Sequence, residues 1–278
     1  MNKKNIPYGR QTIERDDINE VIRILKSDFL TQGPQVSNFE REIANKVGSE
    51  YAIAVNSATS ALHIACKALG LRKGDTLWTS PITFVASANC ALYCGAEVDF
   101  VDINPKTGLI STELLKEKLE LAAKKNKLPK ILVAVHLCGT SCDMEEIKKL
   151  SVVYKFSIIE DASHALGGKY KDEKVGSCKY SDVTVFSFHP VKIITTGEGG
   201  VATTNDFELE KNMKMLRSHG ITKQRELYID KNRKKWEYEQ QILGYNYRMN
   251  DIQAALGKNQ LKKLDMFIER RIKVFERY

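Results

Sequence analysis

The chain has 278 residues, of which 42% are hydrophobic and 28% charged, and its formal net charge at pH 7 is +8. This length and composition are typical of a globular protein with one large or two modest domains. A membrane partner is not expected, because no stretch approaches the roughly 18 uncharged apolar residues of a membrane span. The N-terminus lacks the apolar core of a secretory signal, and six cysteines without such a signal favour reduced thiols, so we expect a cytoplasmic protein.

The excess of positive charge raises the hypothesis of a nucleic-acid-binding protein. The lysines and arginines are spread along the chain, with local groups in 124–130, 231–235 and 270–273. They are not accompanied by a helix-turn-helix, zinc-finger or RNA-recognition pattern. We therefore expect no nucleic acid partner, and a salt-dependent binding assay would test that alternative.

The first elements in chain order are two amphipathic helices, predicted in 12–29 and 36–47 from the helical spacing of apolar residues. A buried strand follows in 51–55, then a short polar stretch and a helix rich in Ala and Leu in 61–69. Small hydroxyl residues before a helix are favoured N-caps, and the free N–H groups of a helix start also form an anion site. The residues alone leave both interpretations open for Ala58, Thr59 and Ser60.

Further short apolar runs predict strands in 76–79, 97–101 and 131–135, which alternate with predicted helices. This alternation is typical of an α/β fold with a mostly parallel sheet. Metal-ligand residue types occur together at His136, Cys138 and Cys142. Their spacing fits no standard zinc pattern, so we expect no metal. Cys90 and Cys94 lie four residues apart on a predicted helix and are expected in the core.

Two later stretches carry residues of chemical interest. FSIIEDASHALGG, in 156–168, is an apolar strand that ends at Glu160 and Asp161. SDVTVFSFHPVKIITTGEGGV, in 181–201, presents Lys192 among apolar neighbours. A desolvated lysine has a lowered pKa and can act as a nucleophile, although an isolated lysine more often extends its head to water. A carboxylate at the end of a buried strand, with such a lysine on a later strand and loop, fits pyridoxal phosphate.

Four motifs share their order and spacing with one known family. SFHPVKIITTGEGG, EDASHALGGKY, NSATSALHIA and GYNYRMNDIQAALG resemble the motifs of the DegT/DnrJ/EryC1/StrS sugar aminotransferase family, from about residue 8 to residue 278. The resemblance implies a fold-type-I pyridoxal-phosphate enzyme with about seven strands flanked by helices. It also implies a large cofactor domain in 1–250 and, in 251–278, a helix leading to a small C-terminal domain that is mostly absent.

The resemblance further implies roles for individual residues. Lys192 and Asp161 are the expected catalytic residues: Lys192 would hold the cofactor, pyridoxal 5'-phosphate, and Asp161 would keep its ring nitrogen protonated. The expected remaining cofactor contacts are Phe84 on the ring, His164 at the ring hydroxyl, and Ala58, Thr59, Ser60 and Ser187 at the phosphate. Asn246 would reach the phosphate bound by the neighbouring subunit of a homodimer. Tyr8 and Thr31 would line the sugar site.

A lysine at the position of Lys192 indicates transamination, because family members that deoxygenate sugars carry a histidine there. The implied reaction moves an amino group from glutamate to C4 of a UDP-linked 4-keto-6-deoxy-N-acetylhexosamine of the pseudaminic acid pathway. Two alternatives stay open at this stage. One is a dTDP-linked or GDP-linked keto sugar as substrate, and the other is an inactive or regulatory relative that binds the cofactor.

Overall fold

The structure, a computed structural model, describes residue 7, residues 9–230, residue 234 and residues 236–278. Its centre is a seven-stranded sheet. The strands in chain order, with the two short strands of a separate hairpin as β6 and β7, are β1 (Tyr51–Val55), β2 (Thr76–Thr79), β3 (Glu97–Phe100), β4 (Ile131–Val135), β5 (Ser157–Asp161), β6 (Lys169–Tyr170), β7 (Glu173–Lys174), β8 (Val183–Ser187) and β9 (Gly200–Thr204).

The order of strands in the sheet is β1-β9-β8-β5-β4-β2-β3. The pairs from β3 through β2, β4 and β5 to β8 are parallel, and β9 is antiparallel to both β8 and β1. The carboxyl ends of β1, β4, β5 and β8 and the amino end of β9 therefore meet at one edge. This confirms the predicted mostly parallel α/β sheet, and the edge is where such sheets bind ligands.

Helices cover both faces of the sheet. Their bounds are α1 (Arg15–Leu25), α2 (Pro34–Val47), α3 (Ala58–Ala68), α4 (Ala86–Tyr93), α5 (Thr112–Lys124), α6 (Met144–Tyr154) and α7 (Phe207–Arg217), followed by α8 (Asp251–Leu261) and α9 (Leu264–Phe275). The side chains of a strand point alternately to opposite faces. In β4, Ile131 and Val133 accordingly pack with α3 and α4, whereas Leu132 packs with α5 and α6. Helices α2, α8 and α9 cover the rest of that second face.

The structure differs from the sequence-based prediction in three places. The helix predicted in 61–69 begins at Ala58, because Ser57 accepts a hydrogen bond from the N–H of Ser60 and caps it. The final predicted helix is divided into α8 and α9, and Leu264 and Phe267 of α9 enter the core. The polar, aromatic and charged composition of 221–241 favours a loop or flap, but its two ends form the short antiparallel pair β10 (Ile221–Thr222) and β11 (Glu239–Gln240).

All six cysteines lie in the described residues and are unpaired, as predicted. Cys90 and Cys94 are buried in the core under α3 and α4, which also confirms their predicted place. Of the helices in the described part of the chain, none combines the length and the apolar character that crossing a membrane requires.

Candidate active site

A cavity of about 560 Å³ lies at the edge where β1, β4, β5 and β8 end. Several predicted site residues line it, namely Ala58, Thr59, Phe84, Asp161, His164, Ser187 and Lys192. They come from four separate parts of the chain, and the parallel strands bring them to one place. The cavity therefore unites the lysine, the carboxylate and the proposed phosphate cradle.

Lys192 lies in the loop between β8 and β9. The loop is held from two sides: the N–H of Lys192 donates to the carbonyl of His189 at 2.9 Å, and the Arg271 guanidinium donates to the carbonyl of Lys192 at 3.1 Å. The side chain is half-buried. Burial lowers the pKa of Lys192, and the negative charge of Asp161 partly offsets this effect. A larger fraction of Lys192 is therefore in the neutral, nucleophilic amine form than in an exposed lysine at the same pH.

Asp161 is the last residue of β5 and is 6% exposed. Its Oδ2 accepts a hydrogen bond from Ser87 Oγ at 2.6 Å. Its Oδ1 accepts from Ser163 Oγ at 2.6 Å and from the Ser163 N–H at 3.2 Å. Hydrogen bonds to the charged form stabilise a buried carboxylate as the anion.

The start of α3 forms the opposite wall of the cavity. The N–H groups of Ala58 and Thr59 belong to the first helical turn, where N–H groups lack intrahelical acceptors. Gly200 at the amino end of β9 lies directly against this turn, because a Cβ there would be only 2.5 Å from the Ala58 nitrogen. The close approach of β9 thus requires glycine, and the helix start remains available to an anion.

The other predicted cofactor contacts occupy the walls and mouth of the cavity. Phe84, 74% exposed, precedes α4 and presents an aromatic face without protein cover. Ser187 ends β8. Partial burial and the positive charge of Lys192 lower the pKa of His164, so its neutral imidazole is favoured.

Three predicted residues within the described part of the chain do not line this cavity, and a fourth lies outside that part. Ser60 is buried at the third helical position, and its hydroxyl donates to Asn56 Oδ1 at 2.6 Å. Asn246 is exposed and pairs with Ser218, and Thr31 is exposed in the turn between α1 and α2. Tyr8 lies outside the described residues. The roles of these four residues stay predictions.

The structure adds residues that the sequence reasoning did not place at the site. Ser57, Thr83, Ser163 and His136 also line the cavity, and Ser87 supports Asp161 from α4. Ser57 could have been found, because a serine before a helix is a strong N-cap signal. Ser87 gave no such signal, since 74 residues separate it from Asp161.

The cavity contains a protein group that suits each functional group of pyridoxal phosphate. The start of α3 suits the phosphate, Asp161 suits the ring nitrogen, and Lys192 suits the aldehyde. Phe84 offers a surface for a flat conjugated ring. The fold and the cavity therefore define the class of the protein as the pyridoxal-phosphate-dependent transferases of fold type I.

Comparison with known proteins assigns the family within this class. Residues 11–278 match the sequence profile of the DegT/DnrJ/EryC1/StrS aminotransferase family. The chain belongs to this family and is a pyridoxal-phosphate-dependent aminotransferase.

Individual relatives agree with this assignment. The UDP-4-amino-4,6-dideoxy-N-acetyl-beta-L-altrosamine transaminase of Campylobacter jejuni (strain 81-176) is 44% identical over 274 residues, which are 98% of this chain and 68% of that protein. The solved structure of Helicobacter pylori PseC, an aminotransferase of pseudaminic acid biosynthesis, matches with a TM-score of 0.85 and 36% identity, over 95% of this chain and 67% of that one. The PLP form of the sugar aminotransferase Spr1654 from Streptococcus pneumoniae matches with a TM-score of 0.86 and 29% identity, over 99% of this chain and 71% of that one. The chain thus spans about two thirds of the length of these relatives.

Proposed function

We propose that the protein transfers an amino group from glutamate to C4 of a UDP-linked 4-keto-6-deoxy-N-acetylhexosamine, as a step in pseudaminic acid biosynthesis. The observation that carries this proposal is a cavity with Lys192, Asp161 and the start of α3, in a chain 44% identical to a transaminase of such a sugar. Transamination exchanges an amine for a carbonyl, so a 4-amino sugar product implies a 4-keto substrate. A cytoplasmic location stays a prediction from the sequence.

Pyridoxal phosphate, when bound, supplies the electron sink that makes the proton on the amino donor's α-carbon acidic. Lys192 would hold the cofactor covalently. Once its amine was free, Lys192 Nζ would act as the base that removes the α-carbon proton of the donor in the first half-reaction, and as the acid that gives a proton to C4 of the sugar in the second. The lowered pKa of Lys192 suits this role, because a base must be unprotonated near neutral pH.

The remaining residues bind and orient. Asp161 would accept a hydrogen bond from the protonated ring nitrogen of the cofactor, and the neutral His164 would contact the ring hydroxyl. Phe84 would cover one face of the ring. The N–H groups of Ala58 and Thr59 and the Ser187 hydroxyl would hold the phosphate, while Ser60 supports the first turn of α3 from inside.

The reaction is tested with purified protein, glutamate and a panel of UDP-, dTDP- and GDP-linked 4-keto sugars, with 2-oxoglutarate and the amino sugar as measured products. We expect the UDP-linked N-acetyl sugar to give the largest kcat/KM. A preference for a dTDP- or GDP-linked sugar would contradict the proposed substrate but not the transaminase activity. Cofactor binding without any amino transfer would contradict the activity itself.

The role of Lys192 is tested by borohydride reduction of the holoenzyme followed by peptide mapping. We expect the cofactor on the peptide that contains Lys192, and no adduct in Lys192→Ala. Lys179→Ala is the matched control, because Lys179 is exposed, pairs with Glu173 and does not line the cavity. An adduct on another lysine of Lys192→Ala would contradict the assignment.

We also propose a homodimer in which Asn246 of one subunit completes the phosphate site of the other. Asn246 is exposed and does not line the cavity of its own chain, which supports a role toward a second chain. If Lys192→Ala and Asn246→Ala are each inactive, mixing them creates heterodimers with one intact composite site. We expect activity to return in the mixture. No recovery, with subunit exchange confirmed by tag pull-down, would place each site within one subunit.

We further propose that residues 1–250 form the large cofactor domain and that 251–278 lead toward a smaller domain. Thr31 and Tyr8 would contact the sugar. Thr31→Val tests this role, and we expect a raised KM for the sugar nucleotide with an unchanged KM for glutamate.

A further inference from the structure

The surroundings of Asp161 contain a chain of hydroxyl groups with a defined direction. Thr83 Oγ1 and Ser87 Oγ lie 2.8 Å apart, and Ser87 Oγ lies 2.6 Å from Asp161 Oδ2. A hydroxyl carries one hydrogen to donate. An ionised carboxylate only accepts, so Ser87 gives its hydrogen to Asp161 and must accept from Thr83. The chain therefore runs from Thr83 through Ser87 to Asp161.

The two oxygens of Asp161 are used unequally. Oδ1 accepts two hydrogen bonds, both from Ser163, and this fills the usual capacity of a carboxylate oxygen. Oδ2 accepts only from Ser87 among the described residues. One acceptor position on Oδ2 therefore remains for a further donor, and Asp161 lines the cavity.

We propose that Ser87, supported by Thr83, is a positioning residue that orients Asp161 so that its free acceptor position on Oδ2 faces the ring nitrogen of the cofactor. This inference rests on the proposed role of Asp161. Ser87 is completely buried on α4, and Thr83 lies beside Phe84 in the loop that precedes this helix. The short segment 83–87 thus supplies both the aromatic side chain that would cover the cofactor ring and the hydroxyl groups that orient the Asp161 carboxylate.

The ring nitrogen itself provides a direct test. Holoenzyme is prepared with pyridoxal phosphate labelled with ¹⁵N in the ring, and the ¹⁵N chemical shift is followed against pH. This shift reports whether the nitrogen is protonated, independently of turnover. In Ser87→Ala we expect the nitrogen to lose its proton at lower pH than in the wild type, and the half-reaction with glutamate to slow by on the order of tenfold.

Ser151→Ala is the matched control. Ser151 is a buried serine on α6 whose hydroxyl donates to the Phe156 carbonyl at 2.7 Å, and neither residue lines the cavity. Ser151→Ala removes a buried serine hydroxyl, as Ser87→Ala does, so any general effect of this loss on folding appears in both variants. We expect the ¹⁵N titration of this control to match the wild type.

Thr83 gives a second, graded test that does not depend on Ser87→Ala being folded. Thr83→Val keeps the shape of the side chain but cannot donate to Ser87, whereas Thr83→Ser keeps the donor. We expect Thr83→Val to shift the ¹⁵N titration in the same direction as Ser87→Ala but by less, and Thr83→Ser to restore the wild-type curve.

Asp161→Asn separates failure of this inference from failure of the proposed function. A changed titration in Asp161→Asn, with unchanged titrations in Ser87→Ala and Thr83→Val, would overturn the positioning role and leave the role of Asp161 intact. An unchanged titration in Asp161→Asn would show that Asp161 does not set the ring proton, and both proposals would fall.

Discussion

Glu160 and Asp161 are adjacent at the carboxyl end of β5, and they are equally buried, at 5% and 6% exposure. Because side chains alternate along a strand, they lie on opposite faces of the sheet. Glu160 accepts hydrogen bonds from His136 Nε2 at 2.7 Å, from Ser181 Oγ at 2.5 Å and from Thr184 Oγ1 at 3.1 Å. Asp161 faces the cavity instead and keeps an acceptor position free.

The difference shows that burial alone does not mark a functional carboxylate. The protein surrounds Glu160 with its own donors from the ends of β4 and the start of β8, so this group ties three strands together. Burial raises the pKa of Glu160. The hydrogen bond and the positive charge of His136, together with the hydroxyls of Ser181 and Thr184, outweigh this effect and lower the pKa overall. Glu160 is therefore a structural anion, whereas Asp161 keeps an acceptor position for a ligand.

The largest expected effect separates the two carboxylates by their part in the reaction. In Asp161→Asn the ring nitrogen loses its anionic acceptor, and we expect the half-reaction with glutamate to fall by on the order of a thousandfold. Rapid-mixing absorbance measurements of that half-reaction check this. Glu160→Gln is the paired control and should stay within about fivefold of the wild type once folded. Similar losses in both variants would contradict the distinction.

The sequence predicted this strand and its end correctly, but it did not determine the environment of each carboxylate. Alternation predicts opposite faces, whereas the donors come from segments 74 residues away for Ser87 and 24 residues away for His136. The same limit applies to Ser60. The helix was predicted to begin at residue 61, and capping by Ser57 moves its start, which turns Ser60 inward. Local patterns gave the elements and Lys192, and tertiary contacts decided the supporting residues.

The second expected effect is on stability, and here we expect the Glu160 substitution to have a larger effect than the Asp161 substitution. Glu160→Gln leaves His136, Ser181 and Thr184 without their anionic acceptor in a buried place, and we expect a loss of about 3 kcal/mol in the free energy of unfolding at pH 7. Urea denaturation measures it. Asp161→Asn should lose less, because Asp161 accepts hydrogen bonds from two residues and not three, and one of the two, Ser163, is only partly buried.

The pH dependence follows from the lowered pKa of Glu160. The folded protein binds this proton less readily than the unfolded chain, whose glutamate titrates near 4.5, so the stabilisation is present above that pH. It is lost as the pH falls through the lower folded pKa. We expect the stability difference between wild type and Glu160→Gln to shrink below pH 4.5. A difference that stays constant down to pH 3 would contradict an ionised Glu160.

A third effect extends the comparison to a buried histidine away from the cavity. His63 Nδ1 lies 3.1 Å from the Tyr247 hydroxyl, and its buried Nε2 has no hydrogen-bond partner within the described residues. Burial, with the positive charge of Lys67, lowers the pKa of His63 to about 4. The unfolded chain therefore binds this proton first, and stability falls as the pH drops from 6.5 toward 4.

His63→Gln keeps a polar group near Tyr247 but does not titrate. We expect the wild type to lose about 2 kcal/mol more than this variant between pH 7 and pH 4. Urea denaturation at several pH values gives the difference. Parallel curves for the two proteins would show that His63 is not held neutral by burial.

The smallest expected effect comes from removing one of the three hydrogen bonds that Glu160 accepts. Thr184 is completely buried, and its hydroxyl makes the longest of the three hydrogen bonds to this carboxylate. Thr184→Val keeps the branched shape and removes only the hydroxyl, so Glu160 retains His136 and Ser181. We expect a loss of about 1 kcal/mol in the free energy of unfolding, with kcat unchanged.

Thr79→Val is a closely matched control for this loss. Thr79 is also completely buried, and its hydroxyl donates over the same 3.1 Å to the uncharged carbonyl of Val133. Hydrogen bonds to an ionised acceptor are stronger than those to a neutral one, so Thr184→Val should be the more destabilising of the two at pH 7. The two losses should become more similar as the pH falls through the lowered folded pKa of Glu160, because protonation removes its charge. If Thr184→Val and Thr79→Val were equally destabilising at pH 7, the charge of Glu160 would contribute nothing to this contact, and the contrast with Asp161 would rest on geometry alone.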